Sequence, residues 1–167
     1  MTAHFSSASS NDSLTLQAQD LTCIRGERKL FSKLSFSLSS GDCLHVRGEN
    51  GVGKTSLLRL LTGLSKPEAG QVLWNHELIA KQVDQYHRNL LFLGHRDALK
   101  EEFSALENLQ TYAALDGIDL PHEKALAALW HFGLRGRENL PVNCLSAGQK
   151  RRVLMARMLT RQARLWI

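Results

Sequence analysis

Cysteine is scarce in this 167-residue sequence, which has only Cys23, Cys43 and Cys144, all far apart and none in a C-x-x-C pair. This scarcity excludes a disulfide framework and a cysteine-rich zinc module. We therefore expect three reduced core thiols and a cytoplasmic protein.

Long apolar runs are also missing, since no segment approaches the roughly 18 residues needed to cross a bilayer. The first residues, MTAHFSSASSND, lack the apolar core of a signal peptide and the arginines of a transit peptide. Residues 1–12 are predicted to be a flexible serine-rich tail. A role at a membrane would then require docking onto a protein that spans it.

Acidic residues are outnumbered, with 16 Asp and Glu against 21 Lys and Arg, for a net charge of +5. This excess of positive charge is consistent with binding to a phosphate-rich ligand, an acidic membrane surface or nucleic acid, and it does not distinguish among the three. The basic residues of segment 150–164 are distributed around all sides of a predicted helix, and no aromatic residues alternate with them. That pattern favours a solvated helix beside an anionic nucleotide, and nucleic acid is not expected as a partner.

Period-two alternation predicts β-strands in SLTLQAQD (residues 13–20) and KLSFSLSSGD (33–42). A third strand is predicted in CLHVRG (43–48). The continuous apolar run NLLFLG (89–94) has the length of a buried strand. With 43% hydrophobic residues the chain can build a core, as one domain or one domain with a small insert.

Helical signals follow the third predicted strand and, again, the run NLLFLG. Leucines at i, i+3, i+4 and i+7 predict a helix that begins at Lys54. Ser104 and Glu107 are spaced as a capping box, and PHEKALAALWHFG predicts a further helix. The order of elements predicts a helical insert over about residues 101–143.

Residues 48–56, GENGVGKTS, contain the pattern G-x-x-x-x-G-K-[ST] between a predicted strand and a predicted helix. Converging backbone amides can surround a phosphate more closely than side chains can, and glycines allow the necessary curl. The helix adds the positive end of its dipole, Lys54 a charge for the β- and γ-phosphates, and Thr55 a hydroxyl for Mg²⁺. The sequence therefore predicts ATP and Mg²⁺ as cofactors, bound by Gly48, Glu49, Asn50, Gly51, Val52, Gly53, Lys54, Thr55 and Ser56.

A second glycine-containing helix start occurs in LSAGQ, residues 145–149. Ser146 and Gln149 are spaced as a capping box, so an ordinary helix start is one interpretation. The other is a second anion site, formed by Ser146, Gly148 and Gln149 at a helix N-terminus. A single domain that binds one nucleotide does not need two phosphate-binding sites. Two copies arranged head to tail do need them, because the second site of one copy would close over the nucleotide bound by the other.

The chain resembles the ABC transporter ATPase family over nearly all of residues 13–167. GENGVGKTS resembles its Walker A motif, LSAGQ is similar to its LSGGQ signature with Ala147 for the first glycine, and LLFLGH lies where the family has its Q-loop. Within the family, LLRLLTGLSKPEAGQVLW and LPVNCLSAGQKRRVLMAR are most similar to the ATP-binding subunits of haem exporters in cytochrome c maturation.

The resemblance implies an α/β fold: a P-loop NTPase core with an N-terminal antiparallel β subdomain and a helical insert, incomplete at the C-terminus. It implies ATP hydrolysis coupled to transport, with Lys54 and Ser146 in catalytic roles. The implied partners are an integral membrane permease subunit and a second ATPase subunit, at the cytoplasmic face of the bacterial inner membrane. A soluble ABC-type ATPase not coupled to transport is the alternative.

The sequence departs from the family pattern at three places. Arg25 occupies the position of the aromatic that stacks on adenine, where an arginine plane could stack or the turn could simply be solvated. His95 stands in place of the Q-loop glutamine and is a further catalytic candidate. ARLWI, residues 163–167, resembles the start of the Walker B strand but stops before its carboxylates. We therefore expect a fragment that binds nucleotide poorly and hydrolyses it negligibly.

Overall fold

A computed structural model describes residues 2–4, 14–94 and 98–167 of the chain. The chain divides into two compact units, residues 1–87 and residues 88–167. Within the described residues, no helix combines the length and the apolarity needed to span a bilayer. Each unit is described by itself.

The first unit is built on a four-stranded antiparallel sheet with the strand order β3-β2-β5-β6. A separate pair joins β1 and β4, also antiparallel, with His4 opposite His45. The strands of this unit are β1 (Thr2–His4), β2 (Thr15–Arg25), β3 (Arg28–Ser39), β4 (His45–Arg47), β5 (Ala69–Trp74) and β6 (Glu77–Leu78). The predicted strands are thus present, and β2 extends further than the alternating pattern indicated.

One helix of the first unit follows the glycine-rich loop, and another closes the unit. Helix α1 runs over Lys54–Leu61 and buries its leucine stripe, and helix α2 runs over Val83–Asn89 after a short 3₁₀ turn at Ile79–Lys81. Because β2 buries alternate residues on one face, that face and the stripe of α1 form the core of the unit. The buried residues on these two elements are Leu16, Ala18, Leu21, Cys23, Leu57, Leu60 and Leu61.

The second unit packs three helices around one apolar core. They are α3 (Ala105–Leu115), α4 (His122–His131) and α5 (Ala147–Thr160), with a 3₁₀ turn at Val142–Cys144 before α5. Two short parallel strands, β7 (Leu90–Leu91) and β8 (Leu165–Trp166), complete the unit. The fully buried residues of the core come from all three helices and the turns between them: Ala105, Leu109, Ala125, Leu129, Leu134, Val142 and Ala156.

The predicted fold class is confirmed, with an antiparallel β part and a helical part. Both α3 and α4 lie within residues 101–143, where the helical insert was expected. Strand β7 is shorter than the run NLLFLG, since Asn89 belongs to α2 and the strand ends at Leu91. Of the segment predicted to be a tail, the structure describes only Thr2–His4, which is paired with β4.

The cysteine prediction was partly wrong. Cys23 is a buried free thiol, as expected, but Cys43 and Cys144 are exposed. Cys43 lies in the turn before β4, and Cys144 lies in the 3₁₀ turn before α5. Cys43 precedes a strand whose residues are half-buried or exposed, and in the turn before α5 it is Val142, not Cys144, that enters the core.

Candidate nucleotide-binding sites

The glycine-rich loop joins β4 to α1, and two of its glycines are required by the chain around them. Gly48 has φ +151°, and a Cβ there would lie 2.8 Å from Val52 Cγ1. Gly53 has φ +105°, and a Cβ there would lie 3.1 Å from the Leu30 Cβ and 3.3 Å from the ring of Phe31. A side chain at either position would therefore be strained and crowded, which explains the glycines without any reference to a ligand.

Helix α1 has Gly53 as its N-cap residue, and it has no side-chain cap and no acidic residue in its first turn. The first intrahelical hydrogen bond runs from the Leu57 amide to the Gly53 carbonyl, at 2.8 Å. Within the described part of the chain, the amides of residues 53–56 have no hydrogen-bond partner. Four free donors and the positive end of the helix dipole thus meet at one point, which is the arrangement that binds phosphates.

The ammonium group of Lys54 lies back over the loop. It donates to the carbonyl of Gly48 at 2.7 Å and to the carbonyl of Glu49 at 2.8 Å. Because an ammonium group has three N–H donors, one remains for an anion even in this arrangement. The side chain is therefore held at the mouth of the loop, next to the free amides.

The remaining predicted loop residues differ in exposure. Glu49, Asn50 and Thr55 are exposed, whereas Val52 and Ser56 are half-buried. The hydroxyl of Thr55 has no hydrogen-bond partner among residues 2–4, 14–94 and 98–167. A single exposed hydroxyl in the first turn of α1 fits Mg²⁺, which takes few protein ligands and fills its other positions with water and phosphate oxygens.

The far end of α1 is anchored by α2. The Tyr86 hydroxyl donates to the carbonyl of Leu61 at 2.5 Å, and the His87 imidazole hydrogen-bonds the carbonyl of Thr62 at 2.9 Å. Burial raises the pKa of Tyr86 well above its usual value, so the hydroxyl stays a neutral donor. A cavity of about 610 Å³ lies at this end of α1, beside Gly63 and Lys66, and is therefore not the phosphate site.

In the second unit, Ser146 caps α5. Its Oγ accepts from the Gln149 amide at 3.2 Å, and the Gln149 Oε1 accepts from the Ser146 amide at 2.9 Å. The capping-box interpretation is thus confirmed. It does not exclude the anion site, because a hydroxyl that accepts one hydrogen bond still has its O–H to donate.

Gly148 differs from the loop glycines. It is exposed in the first turn of α5, and a Cβ at this position would meet nothing within 4 Å. The amides of Ala147 and Gly148 have no partner within the residues that the structure describes. The fold of the described chain therefore does not require a glycine here.

Three basic residues of this segment, Lys150, Arg157 and Arg161, form ion pairs within the second unit, whereas Arg151 and Arg152 are exposed, so the expectation of a solvated helix holds only in part. Asp116, the C-cap residue of α3, binds Arg161 at 2.8 Å and Arg157 at 3.7 Å, and the guanidinium of Arg157 lies over the ring of Tyr112. Burial lowers the pKa of Arg157, with Asp116 opposing the shift. Lys150 pairs with Glu101 at 3.3 Å. These arginines hold α5 against α3, a role that sequence reasoning missed.

The two remaining candidates from the sequence are Arg25 and His95. Arg25 is exposed at the end of β2, directly opposite Arg28 on β3. His95 lies outside the described residues. Among those residues, no group of three or more His, Cys, Asp or Glu side chains is arranged to hold a metal ion.

The sequence profile of the ABC transporter family matches residues 31–167. The chain therefore belongs to this family, whose ATP-binding domains couple ATP hydrolysis to transport. Among its relatives is the cytochrome c biogenesis ATP-binding export protein CcmA of Escherichia coli K12, 50% identical over 152 residues, which are 91% of this chain and 72% of that protein. The CcmA of Nitrosospira multiformis is 49% identical over 153 residues, 92% of this chain and 74% of that protein.

Solved structures show the same fold at much lower identity. A Pyrococcus furiosus protein of the ABC transporter ATP-binding type matches with a TM-score of 0.78 and 24% identity, over 91% of this chain and 73% of that one. CbiO1 of Clostridium perfringens, part of the transporter complex cbiONQ, matches with a TM-score of 0.70 and 21% identity, over 90% of this chain and 63% of that one.

Proposed function

We propose that this chain is the ATP-binding, energy-coupling subunit of a haem-transporting ABC complex in c-type cytochrome biogenesis. The observation that carries the proposal is the group of free amides over residues 53–56, with the Lys54 ammonium beside them. The identity of about half the residues to CcmA supports the particular pathway. ATP hydrolysis in such a complex would drive the transport step.

In the proposed site, the loop amides and Lys54 bind the β- and γ-phosphates of ATP. Thr55 contributes its hydroxyl to Mg²⁺, and Gly48 and Gly53 let the backbone approach the anion. The magnesium ion would neutralise phosphate charge when it is bound. Oxygen ligands from the nucleotide and water would complete its shell.

We propose two protein partners. One is a second copy of the subunit, whose Ser146, Gly148 and Gln149 would close over the nucleotide from outside. The open space at the Gly148 Cβ position and the unused O–H of Ser146 support this contact. The other partner is an integral membrane permease, which would hold the subunit at the cytoplasmic face of the inner membrane.

Binding of Mg-ATP by the 167-residue chain tests the phosphate site. Lys54→Ala should weaken binding about 10- to 100-fold, because a charge-assisted hydrogen bond to the phosphates contributes about 1.5–3 kcal/mol. Lys66→Ala is the matched control, since it removes an exposed lysine at the other end of α1. Equal affinity in the wild type and Lys54→Ala, measured by titration calorimetry, would refute the assignment.

Co-purification tests the partners. An affinity-tagged chain expressed in a bacterium that makes c-type cytochromes should recover a small integral membrane protein. Recovery of ribosomes or DNA instead would favour a soluble ABC-type ATPase and would overturn the transport assignment.

A further inference from the structure

The cavity at the far end of α1 lies entirely within the first unit and has mostly apolar walls. Its volume of about 610 Å³ falls in the range of small-molecule sites, about 300–1,000 Å³. The walls include the buried side chains of Leu60, Val72, Ile79 and Tyr86. Val83 also lines the cavity and is 47% exposed, so part of the apolar wall is open to solvent.

One charge without a partner borders this apolar space. No Asp or Glu lines the cavity, and its polar side chains other than Tyr86 are Ser65, Lys66, Gln71 and His87. Ser65, Gln71 and His87 are hydrogen-bonded within the first unit. Lys66 is exposed and has no ion pair or side-chain hydrogen bond within residues 2–4, 14–94 and 98–167. The cavity thus offers one lysine charge and no carboxylate to neutralise it.

The cavity is held open by the contacts around it. The bonds from Tyr86 and His87 to the last carbonyls of α1 fix α2 against this helix. Gly63 has φ +74°, and a Cβ there would lie 3.5 Å from Ile79 Cδ1 and 3.7 Å from His87 Nε2, which both belong to the lining. A longer side chain at Gly63 would therefore take up space along this wall. The site is pre-formed, as small-molecule sites usually are.

We propose that this cavity binds a small amphipathic anion, namely a monocarboxylate with an apolar tail. The tail packs against Leu60, Val72 and Ile79, and its burial supplies most of the affinity. The carboxylate pairs with Lys66, which selects for negative charge. Because a single lysine balances a single charge, a carboxylate fits better than a dianionic phosphate. The inference does not depend on the function proposed for the phosphate loop, which lies at the other end of α1.

Titration calorimetry on the 167-residue chain tests the site with three probes: decanoate, decanol, which lacks the charge, and butyrate, which lacks the long tail. Decanoate should bind, and butyrate should give no measurable binding at the same concentrations. Lys66→Gln should weaken decanoate binding about three- to fivefold and leave decanol within about twofold of the wild type. Lys81→Gln is the matched control, since Lys81 is also exposed but does not line the cavity, and it should change neither affinity.

A second variant tests the apolar wall. Val83→Asp introduces a negative charge at the first residue of α2, where an acidic side chain is favourable, so the melting temperature should not fall. It should weaken decanoate binding by at least about tenfold, because two negative charges would lie close together.

Three results would overturn the inference. One is the absence of decanoate binding to the wild type, and another is equal decanoate affinity in the wild type, Lys66→Gln and Val83→Asp. The third is an equal loss of decanoate and decanol in Lys66→Gln, because the lysine would then act through its packing and not through its charge.

Discussion

The N-cap residue of helix α1 is a glycine, which provides no side-chain cap, whereas the N-cap residue of helix α5 is a serine that forms a capping box with Gln149. At α1 the backbone conformation of Gly53 and the contacts of Leu30 and Phe31 exclude a side chain. At α5 a Cβ on Gly148 would meet no atom within 4 Å, so a side chain fits there. The first glycine is explained by the fold and the second is not.

This difference shows how the two helix starts obtain free amides. The loop before α1 is pre-organised, since its curl and its buried Gly53 leave four amides without partners. At α5 the capping box satisfies the Gln149 amide, and only the exposed amides of the first turn remain. The free amides at α1 converge within one chain, whereas the free amides of the first turn of α5 are exposed and open to a separate molecule.

Paired alanine substitutions provide the largest expected contrast. Gly53→Ala forces a side chain into a left-handed conformation and should lower the free energy of unfolding by about 1–3 kcal/mol. Gly148→Ala lies in a helix with open space and should raise it by about 0.5–1 kcal/mol. Urea titrations followed by circular dichroism measure both values. Equal losses in the two variants would remove the distinction between the helix starts.

The anchoring of the two helices gives a second contrast. Helix α1 is held by hydrogen bonds from the side chains of Tyr86 and His87, whereas α5 is held by the ion pairs of Asp116. Asp116→Asn should lower the free energy of unfolding by about 1.5–3 kcal/mol, because it leaves two largely buried guanidinium groups without a carboxylate.

The matched control for Asp116 is Glu101→Gln. Glu101 forms the ion pair with Lys150, and its side chain is 67% exposed, against 20% for Asp116. An exposed pair contributes at most about 1 kcal/mol, so this variant should change stability little. Similar losses in the two variants, measured by the same urea titrations, would show that burial does not set the strength of the α3–α5 contact.

Substitution of Ser146 separates its capping role from its proposed role toward phosphate. Ser146→Ala should lower the free energy of unfolding by about 1 kcal/mol, since a helix cap is lost. Ser146→Asp keeps a good cap, so its stability should equal that of the wild type, but its negative charge should prevent self-association induced by Mg-ATP. Sedimentation with and without nucleotide gives the readout. Undiminished association of Ser146→Asp would exclude a phosphate at this helix.

Local features of the molecule could be predicted from the sequence, because neighbouring residues determine them. The helix that begins at Lys54 and both capping boxes depend on spacings of a few residues, and the structure has them. The positive φ of Gly53 could likewise be expected from the motif. These features position most of the candidate phosphate site.

Other features could not be predicted, because they depend on residues that are distant in sequence. Asp116 meets Arg161 over 45 positions, through the packing of α3 and α5. The opposition of Arg25 and Arg28 depends on register irregularities along the β2–β3 pair, which strict alternation does not reveal. Alternation alone therefore identified the strands but not the charged pair at their tip.

The two capping boxes differ in one respect that pH can detect, and this is the smallest expected effect. Hydrogen bonds from the backbone amide and side chain of Ser104 lower the pKa of Glu107 below its usual 4.5, whereas Gln149 in the box of α5 does not titrate. Because the pKa is lowered in the folded chain, ionised Glu107 stabilises the fold. This stabilisation is fully present above the pKa of the unfolded chain and is lost as the pH falls through the pKa of the folded chain.

Glu107→Gln should therefore reduce the loss of stability between about pH 5 and pH 3, while it leaves stability at pH 7 nearly unchanged. The reciprocal variant, Gln149→Glu, should add a loss over the same range, because it makes the box of α5 titratable. Melting temperatures at pH 7, 5, 4 and 3 measure both changes. If both variants change the loss of melting temperature at low pH in the same direction, the two capping boxes are not equivalent. Contacts other than the capping box would then determine the stability of the start of α5.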